Sequence, residues 1–302
     1  MIVRDKSNSW SIFFAWQGTI LPKILPSVLA MMLLSVLAWL MVYHQVYAVT
    51  SVPMTAFTIF GVLISITLGF YHHASYDRWW EGRKLWGALV ANTRHLSRDS
   101  HFLSPDEREK LLGSMLLFVV ALRDRLRQQA VNASDDLYFG KHADKISWLD
   151  TQLNAPQRVL EEMQEQLIAL VRQGQMSDII YLSIQKHIVE MGGIQAGCDR
   201  IAGTPLPFAY SALLSHAIVG FCWLLPFGAG AVMGGWTPLF VGLVAYFLLG
   251  LHELARQMEM PFGIEDNDLS LDTLVHMIQS ETLMLLEKPL PQKREVIGFC
   301  LK

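Results

Sequence analysis

Charged residues are missing from two long stretches of this 302-residue chain. No Asp, Glu, Lys or Arg occurs between Ile24 and Tyr76 or between Ile201 and His252, although 17% of the chain is charged. A charged side chain at the centre of a bilayer costs roughly 2.5–3.5 kcal/mol, whereas a soluble protein has no reason to leave such gaps. Each gap is long enough for two helices of about 20 residues. The pattern therefore indicates a membrane protein with two transmembrane hairpins, over 25–76 and 201–252.

A turn is expected near the centre of each charge-free stretch. In the first hairpin it falls at Ala48–Met54. In the second hairpin, Pro226–Gly230 and Gly234–Pro238 punctuate the loop, because Gly and Pro interrupt helices and allow tight reversals. We therefore predict four transmembrane helices, over Leu25–Val46, Thr55–Tyr71, Pro207–Leu225 and Phe240–Leu251.

Positive charge is also absent from the predicted tips of both hairpins. All 24 Lys and Arg lie in the N-terminal arm 1–24, the middle segment 77–200 or the C-terminal segment 253–302. The positive-inside rule places all three of these segments in the cytoplasm. Because no cleavage site of small residues follows the first span, we expect that span to be retained. These features predict a multi-pass protein with both termini in the cytoplasm.

Several classes of function find no support in the sequence. Cys198, Cys222 and Cys300 are too far apart to indicate a metal site or a disulfide framework. The net charge of −3 does not imply a nucleic-acid partner. Phosphate-binding P-loops, zinc-binding His-Glu-x-x-His motifs and Gly-x-Ser-x-Gly nucleophile elbows do not occur. We therefore expect neither an enzyme nor a protein that requires a cofactor.

The cytoplasmic segments are predicted to be helical. Ser104-Pro105-Asp106-Glu107 has the residues of a capped helix start, with Glu107 placed to reach back to the cap. Apolar residues recur at helical spacing over Pro156–Val171, Asp178–Ile201 and Leu271–Leu285. Because no flexible linker and no strand pattern is evident, we predict an all-α protein whose spans continue into a cytoplasmic helical layer.

The second predicted span carries two stripes with a period of four residues. The small stripe consists of Gly61, Ser65 and Gly69, and the neck stripe consists of Val62, Ile66 and Phe70. Small residues at this spacing let helices approach closely in lipid. Both stripes could pack against other spans of the same chain. Alternatively, the neck stripe could face the axis of a symmetric ring, where stacked apolar rings make a constriction that gates by dewetting.

Two motifs resemble those of the bestrophin family of ion channels. Leu68-Gly69-Phe70-Tyr71 is followed by Arg78-Trp79-Trp80-Glu81-Gly82-Arg83 at the end of the second span. After the fourth span, Met260 precedes Pro261-Phe262-Gly263 and an acidic run. Both motifs at this separation are specific, and the resemblance covers roughly residues 5–285. The short tail and the first motif are similar to the bacterial branch of the family.

The resemblance implies a homopentamer with one pore on its five-fold axis, in the inner membrane of a bacterium. Four further copies of this chain would be its partners, together with the bilayer and the permeant ions. The second spans of the family line a narrow apolar neck, which carries over to the neck stripe. The family pore narrows again near its cytosolic exit. Ser177–Tyr181 is the matching stretch, and Ile180 is the predicted constriction.

The second motif departs from the calcium-binding pattern of animal bestrophins. In animal bestrophins, an Asn and two carboxylates of the second motif hold Ca²⁺ with backbone carbonyls. Glu265 and Asp268 fall on the carboxylate positions, but Met260 replaces the Asn, and a thioether is a poor ligand for a hard cation. Asp266 could compensate. The acidic run is therefore expected to be either a solvated turn or a weak divalent-cation site that channel current does not require.

Charge selectivity does not follow from the uncharged neck stripe. Animal bestrophins conduct anions, whereas the bacterial branch is associated with monovalent cations. The mild acidity of the chain points toward cations. We therefore predict a passive channel for Na⁺ or K⁺ with a hydrophobic neck. The alternatives are an anion (chloride) channel and a non-conducting, membrane-anchored binding or sensor protein.

Overall fold

The described part of the chain is entirely helical. The computed structural model describes residues 18–44, 53–131, 148–149 and 151–291, and no strand occurs among them. Its helices are α1 (Leu21–Tyr43), α2 (Met54–Asp99), α3 (Pro105–Leu126), α4 (Ala155–Arg172), α5 (Asp178–Gly203), α6 (Phe208–Met233), α7 (Thr237–Glu259) and α8 (Leu271–Leu285). The predicted all-α class is confirmed. Most of the predicted first turn, most of the N-terminal arm and Cys300 lie outside the described residues.

The chain divides into two compact units. We call Ile2–Trp79 with Pro205–Met260 the apolar bundle, and Trp80–Thr204 with Pro261–Lys302 the polar unit. Each unit is discontinuous in sequence. The chain passes from the apolar bundle to the polar unit within α2, after Trp79, and returns to the bundle for α6 and α7.

Four apolar helices form the bundle, as predicted. Three described helical stretches are long and apolar enough to cross a membrane, namely Leu21–Tyr43, Met54–Phe102 and Phe208–Glu259. The third stretch consists of α6 and α7, joined by a 3₁₀ turn at Gly234–Trp236. Ser215 near the start of α6 lies 2.9 Å from the ring of His252 near the end of α7. The two helices are therefore antiparallel, and the third stretch contains two spans.

The turn between α6 and α7 is shorter than the sequence predicted. Pro226–Gly230, predicted to lie in the loop, belong to the last turns of α6, which continues to Met233. Gly228 serves close packing instead, because a Cβ atom there would lie 2.3 Å from the ring of Phe57. Gly234 does reverse the chain, with a φ of 55° that glycine adopts without steric cost. The loop prediction was wrong for Pro226–Gly230 because glycine is favoured both in turns and where two helices pack closely.

The core of the apolar bundle is built from one face of each helix. On α2 this face consists of Phe57, Ile64, Leu68 and Tyr71, whose spacing of seven, four and three residues follows the helical repeat. It packs with residues of the other three helices, which include Ile24, Val28, Met31, Leu214, Ile218, Phe221, Val241 and Ala245. The outer faces of the helices remain apolar, as Leu33, Ile59 and Phe247 illustrate. Such a surface is suited to contact with lipid or with another apolar helix.

The polar unit has the helices that the sequence predicted. Ser104 caps α3 by accepting a hydrogen bond from the amide of Glu107 at 3.5 Å. The helices predicted over 156–171, 178–201 and 271–285 correspond to α4, α5 and α8 within two residues at each end. A buried ion cluster joins α3 to α8, in which Asp272 accepts from Arg123 at 3.0 Å and from Arg127 at 2.8 Å.

Candidate functional site

Helix α2 presents the neck stripe on an exposed face. Val62, Ile66 and Phe70 are 55%, 53% and 67% exposed, whereas Ile64 and Leu68 on the opposite side are buried. Helical geometry separates the two faces, since 3.6 residues complete each turn. Within the described residues, the neck stripe therefore adds nothing to the core of its own bundle. It is available for contacts outside the single chain.

The small stripe lines an open groove, together with Val62 and Ile66 of the neck stripe. A Cβ atom at Gly61 would meet the ring of Phe221 at 3.4 Å, whereas one at Gly69 would meet nothing within 4 Å. Ser65 donates its hydroxyl hydrogen to the carbonyl of Gly61 at 2.8 Å and so adds little polarity to the surface. Apolar residues of α7, such as Leu243, complete a groove of about 920 Å³. This shape leaves room for close approach by another helix.

The exposed face of α2 continues into ionisable residues. His73 and Asp77 follow Phe70 by three and seven residues, so they return to the face of the neck stripe. Their side chains are 77% and 63% exposed, and His73 Nε2 lies 3.6 Å from Asp77 Oδ2. Asp77 is the first carboxylate after the charge-free stretch. The sequence analysis missed it, although the helical spacing from Phe70 could have indicated it.

The first family motif is anchored to the end of α7. Arg78 Nε donates to the carbonyl of Glu259 at 3.0 Å, and the hydroxyl of Tyr71 donates to Glu259 Oε2 at 2.7 Å. The amide of Leu206 donates to Glu259 Oε1 at 3.1 Å. Glu259 thus links α2, the segment just before α6 and α7 at one end of the apolar bundle. The sequence analysis did not single it out, although it directly precedes Met260.

The remaining residues of the first motif are divided between contact and exposure. The ring of Trp79 stacks on Tyr76, with centroids 6.3 Å apart and planes 22° apart. Trp80 is about half exposed. Arg78 of this motif therefore has a packing role, whereas Trp80 leaves an aromatic surface exposed.

The two family motifs meet within the polar unit. A Cβ atom at Gly82 would lie 3.0 Å from the ring of Phe262 and 3.3 Å from Leu269. The amide of Leu269 donates to the carbonyl of Pro261 at 2.8 Å and closes the loop that contains Gly263. Phe262 is buried. The glycine of one motif therefore makes room for the phenylalanine of the other.

The acidic run forms a closed turn. Asp268 is buried, and its Oδ2 accepts from the amide of Glu265 at 2.7 Å, while its own amide donates to the carbonyl of Glu265 at 3.1 Å. Among the described residues, no three His, Cys, Asp or Glu side chains are arranged to hold a metal ion. Met260 is half exposed. Asp268 therefore stabilises the turn, and binding of a divalent cation by Glu265, Asp266 and Asp268 stays a prediction.

Ile180 lies in the first turn of α5. Its amide donates to the hydroxyl of Ser177, which caps the helix, at 3.4 Å. Ile180 is half-buried, while its neighbour Ile179 is 81% exposed. The first turn of α5 thus presents an apolar surface. Ile180 stays the predicted constriction, and Ile179 is a neighbouring apolar residue that the sequence analysis missed.

Comparison with known proteins places these features in one class of membrane protein. The family model described as Bacterial/Fungal Bestrophin protein matches residues 1–284. The chain therefore belongs to the bestrophin family, whose members are ion channels and not enzymes. This confirms the resemblance drawn from the two motifs and identifies the four apolar helices as those of a membrane protein.

Relatives and solved structures match nearly the whole chain. A relative from Mesorhizobium japonicum, named a voltage-dependent anion channel-forming protein, is 36% identical over 299 residues, which cover 97% of this chain and 94% of the relative. A relative of the same description from Escherichia coli K12 is 34% identical over 288 residues, which cover 94% of each chain. The crystal structure of a bacterial bestrophin homologue from Klebsiella pneumoniae is 28% identical, with a TM-score of 0.82. The match covers 88% of this chain and 99% of the chain in that crystal structure.

Proposed function

We propose that this protein is a passive channel for monovalent cations, assembled from five copies around a single axial pore. The bacterial inner membrane would hold it, with both termini in the cytoplasm. The observation that carries the proposal is the exposed face of α2, on which three large apolar residues lead to a carboxylate. Apolar side chains alone could face lipid, but a face that continues into an exposed carboxylate is better suited to a partner surface or a pore.

The neck stripe supplies the barrier in this proposal. Five copies of Val62, Ile66 and Phe70 would stack three apolar rings along the axis. Such rings resist wetting, so an ion passes only when the neck widens enough to admit water. The small stripe beside the neck stripe would let the α2 helices of neighbouring copies approach closely. Ile180 would form the second constriction, at the cytosolic exit.

Asp77 supports the choice of cations. In a ring of five copies, five carboxylates would lie about two turns beyond Phe70, on the same face of α2. Carboxylate rings concentrate cations and exclude anions. The neck rings themselves carry no charge, so the nearest charged ring decides the sign of the permeant ion.

The reversal potential in a KCl gradient tests this proposal. Purified protein in a planar bilayer should give a current that reverses near the potassium equilibrium potential. Asp77→Asn should move the reversal potential toward zero, because the variant loses the selecting charge. Asp106→Asn is a matched control, since it removes an exposed carboxylate from the start of α3. A reversal potential near that of chloride, unchanged in Asp77→Asn, would contradict cation selectivity.

An anion channel is the second candidate, because the relatives named above are described as voltage-dependent anion channel-forming proteins. It predicts reversal at the chloride equilibrium potential and a current that changes with membrane voltage. The same recordings therefore separate the two candidates. A non-conducting binding or sensor protein predicts no flux at any voltage, even when the assembled protein is intact in liposomes.

A further inference from the structure

A buried histidine joins α5 to the last turns of α2 in the polar unit. His187 Nδ1 lies 2.8 Å from Asn92 Oδ1, and His187 Nε2 lies 3.1 Å from Asp99 Oδ2. The Nδ2 group of Asn92 donates to the carbonyl of His187 at 2.8 Å. This last bond fixes the orientation of the Asn92 amide. The oxygen of Asn92 therefore faces the ring of His187 and can only accept a hydrogen bond.

Both ring nitrogens of His187 thus face acceptors. Only the doubly protonated imidazolium donates to both, because each neutral tautomer turns one lone pair toward an oxygen. Asp99 Oδ2 also accepts from the hydroxyl of Ser183 at 2.9 Å. Burial raises the pKa of the Asp99 carboxyl, but hydrogen bonds from His187 and Ser183 outweigh burial, so this pKa lies below its ordinary value. Asp99 is therefore the anion that the His187 cation faces.

The neighbouring charges are compatible with a cationic His187. The ring of His95 stacks on that of His187, with planes 5° apart and centroids separated by 6.1 Å. Arg98 lies beside this second ring, with its Nη2 2.5 Å from Nδ1 of His95. Lys186 and Glu190 of α5 flank His187 in sequence with opposite charges.

The other helices bring their charged contacts to α5 at a distance from His187. Arg125 of α3 pairs with Asp199, roughly three turns further along α5. From α4, the amide of Gln164 donates to the hydroxyl of Tyr181, which is a neutral contact. Asp99 is thus the anion in direct contact with His187, and the pairing depends on the proton that His187 carries.

The same side of α5 carries the predicted constriction. Ile180, Ser183 and His187 recur at spacings of three and four residues, so they lie along one side of the helix. Ile180 and His187 are about 10 Å apart along the helix axis. Ser183 and His187 both bond to Asp99 and hold the first turns of α5 against α2. A displacement of α5 at His187 would therefore also move Ile180, which lies fewer than two helical turns away.

We propose that His187 is a positioning residue for the constriction at Ile180, and that its proton makes ion conduction depend on pH. Protonated His187 holds the first turns of α5 in place and keeps the constriction narrow. Loss of the proton breaks one of the two ring hydrogen bonds, releases these turns and raises the current. The structural half of the proposal concerns α5 alone, whereas the effect on current rests on the proposed channel function.

Hydrogen exchange of the assembled protein tests the structural half without any ion flux. Amides of 178–187 should exchange about tenfold faster at about pH 8.5 than at about pH 5.5, after correction with an unstructured reference peptide, since a charged hydrogen bond is lost. His187→Gln should show no such difference, because its amide does not titrate. His101→Gln, at an exposed histidine of the same unit, should behave like the wild type.

Bilayer recordings then test the effect on conduction. Wild-type current should rise between about pH 5.5 and about pH 8.5, with the rise lost in His187→Gln and reduced in Asp99→Asn. If His187→Gln does not assemble, Asp99→Asn carries the test, because it preserves the shape of the partner. Equal pH dependence of exchange in the wild type and these variants would overturn the proposal. Normal exchange behaviour without current at any pH would instead refute the channel function.

Discussion

The glycine at position 228 gives the sharpest test of how the apolar bundle packs. Gly228→Ala adds one methyl group, which would lie 2.3 Å from one ring atom of Phe57 and 2.6 Å from the next. These distances are below van der Waals contact, so the ring or the helix must shift. Overpacking of this kind costs about 1–3 kcal/mol. Alanine also favours a helix over glycine by about 1 kcal/mol, which offsets part of that cost.

Gly220 provides the matched control for this substitution. It lies in the same helix, and a Cβ atom there would meet nothing within 4 Å. Gly220→Ala gains the same helix propensity without a clash, so the difference between the two variants isolates the steric term. We expect Gly228→Ala to be less stable than Gly220→Ala by about 1–3 kcal/mol. For a chain of this size, that difference corresponds to a melting temperature lower by roughly 2–12 °C.

The assay is the temperature at which the assembled protein disappears from a size-exclusion profile after heating in detergent. Phe57→Leu combined with Gly228→Ala should recover part of the loss, because the smaller side chain vacates the space that the methyl group needs. Equal melting temperatures for Gly228→Ala and Gly220→Ala would refute the close packing of α6 against α2.

Four further outcomes are expected. Ile66→Ala should raise the conductance of the intact assembly in bilayer recordings, because a wider and less apolar ring wets more easily; an unchanged conductance would place the limiting barrier elsewhere. Gly69→Leu should reduce the oligomeric mass measured by light scattering, since no side chain of the described bundle opposes it; an unchanged mass would mean that this face meets lipid. Asp272→Asn should cost about 3–5 kcal/mol, because it removes the carboxylate that the buried Arg123 and Arg127 share and leaves Arg123 with Asp124 only, whereas Glu281→Gln at an exposed ion pair should cost at most about 1 kcal/mol, both compared by melting temperature. Current should persist in chelator; a saturable rise with added Ca²⁺ that Asp268→Ala abolishes would restore a calcium site.

Local signals account for the parts of the fold that could be predicted. The charge-free stretches located four apolar helices because a membrane penalises charge wherever it occurs. Ser104 could be assigned as a cap because capping depends on residues within one turn. The two stripes of α2 could also be predicted, since periodicity alone separates the face of Ile66 from that of Ile64.

Features that depend on distant partners could not be predicted in this way. Asn92 and His187 are 95 residues apart, and nothing in either neighbourhood indicates the other. Gly228 looked like a turn residue because its partner Phe57 lies on another helix. Asp77 is a different case. Its helical spacing from Phe70 is present in the sequence and places it on the face of the neck stripe.

The discontinuity of the polar unit has a consequence for how the protein is made. Its core needs α8, because Asp272 of that helix accepts hydrogen bonds from Arg123 of α3 and from Arg127 directly after α3. Synthesis runs from the N-terminus, so α6 and α7 leave the ribosome and enter the membrane before α8 exists. Until then, these buried arginines lack their carboxylate partner on α8. Nascent chains that end before residue 271 should therefore be digested by protease within α3 to α5, and the same segment should become resistant once α8 has emerged. The last helix to be synthesised would thus act as the closing step of biogenesis, and a stop codon that removes it should leave an inserted but unassembled chain for quality control to degrade.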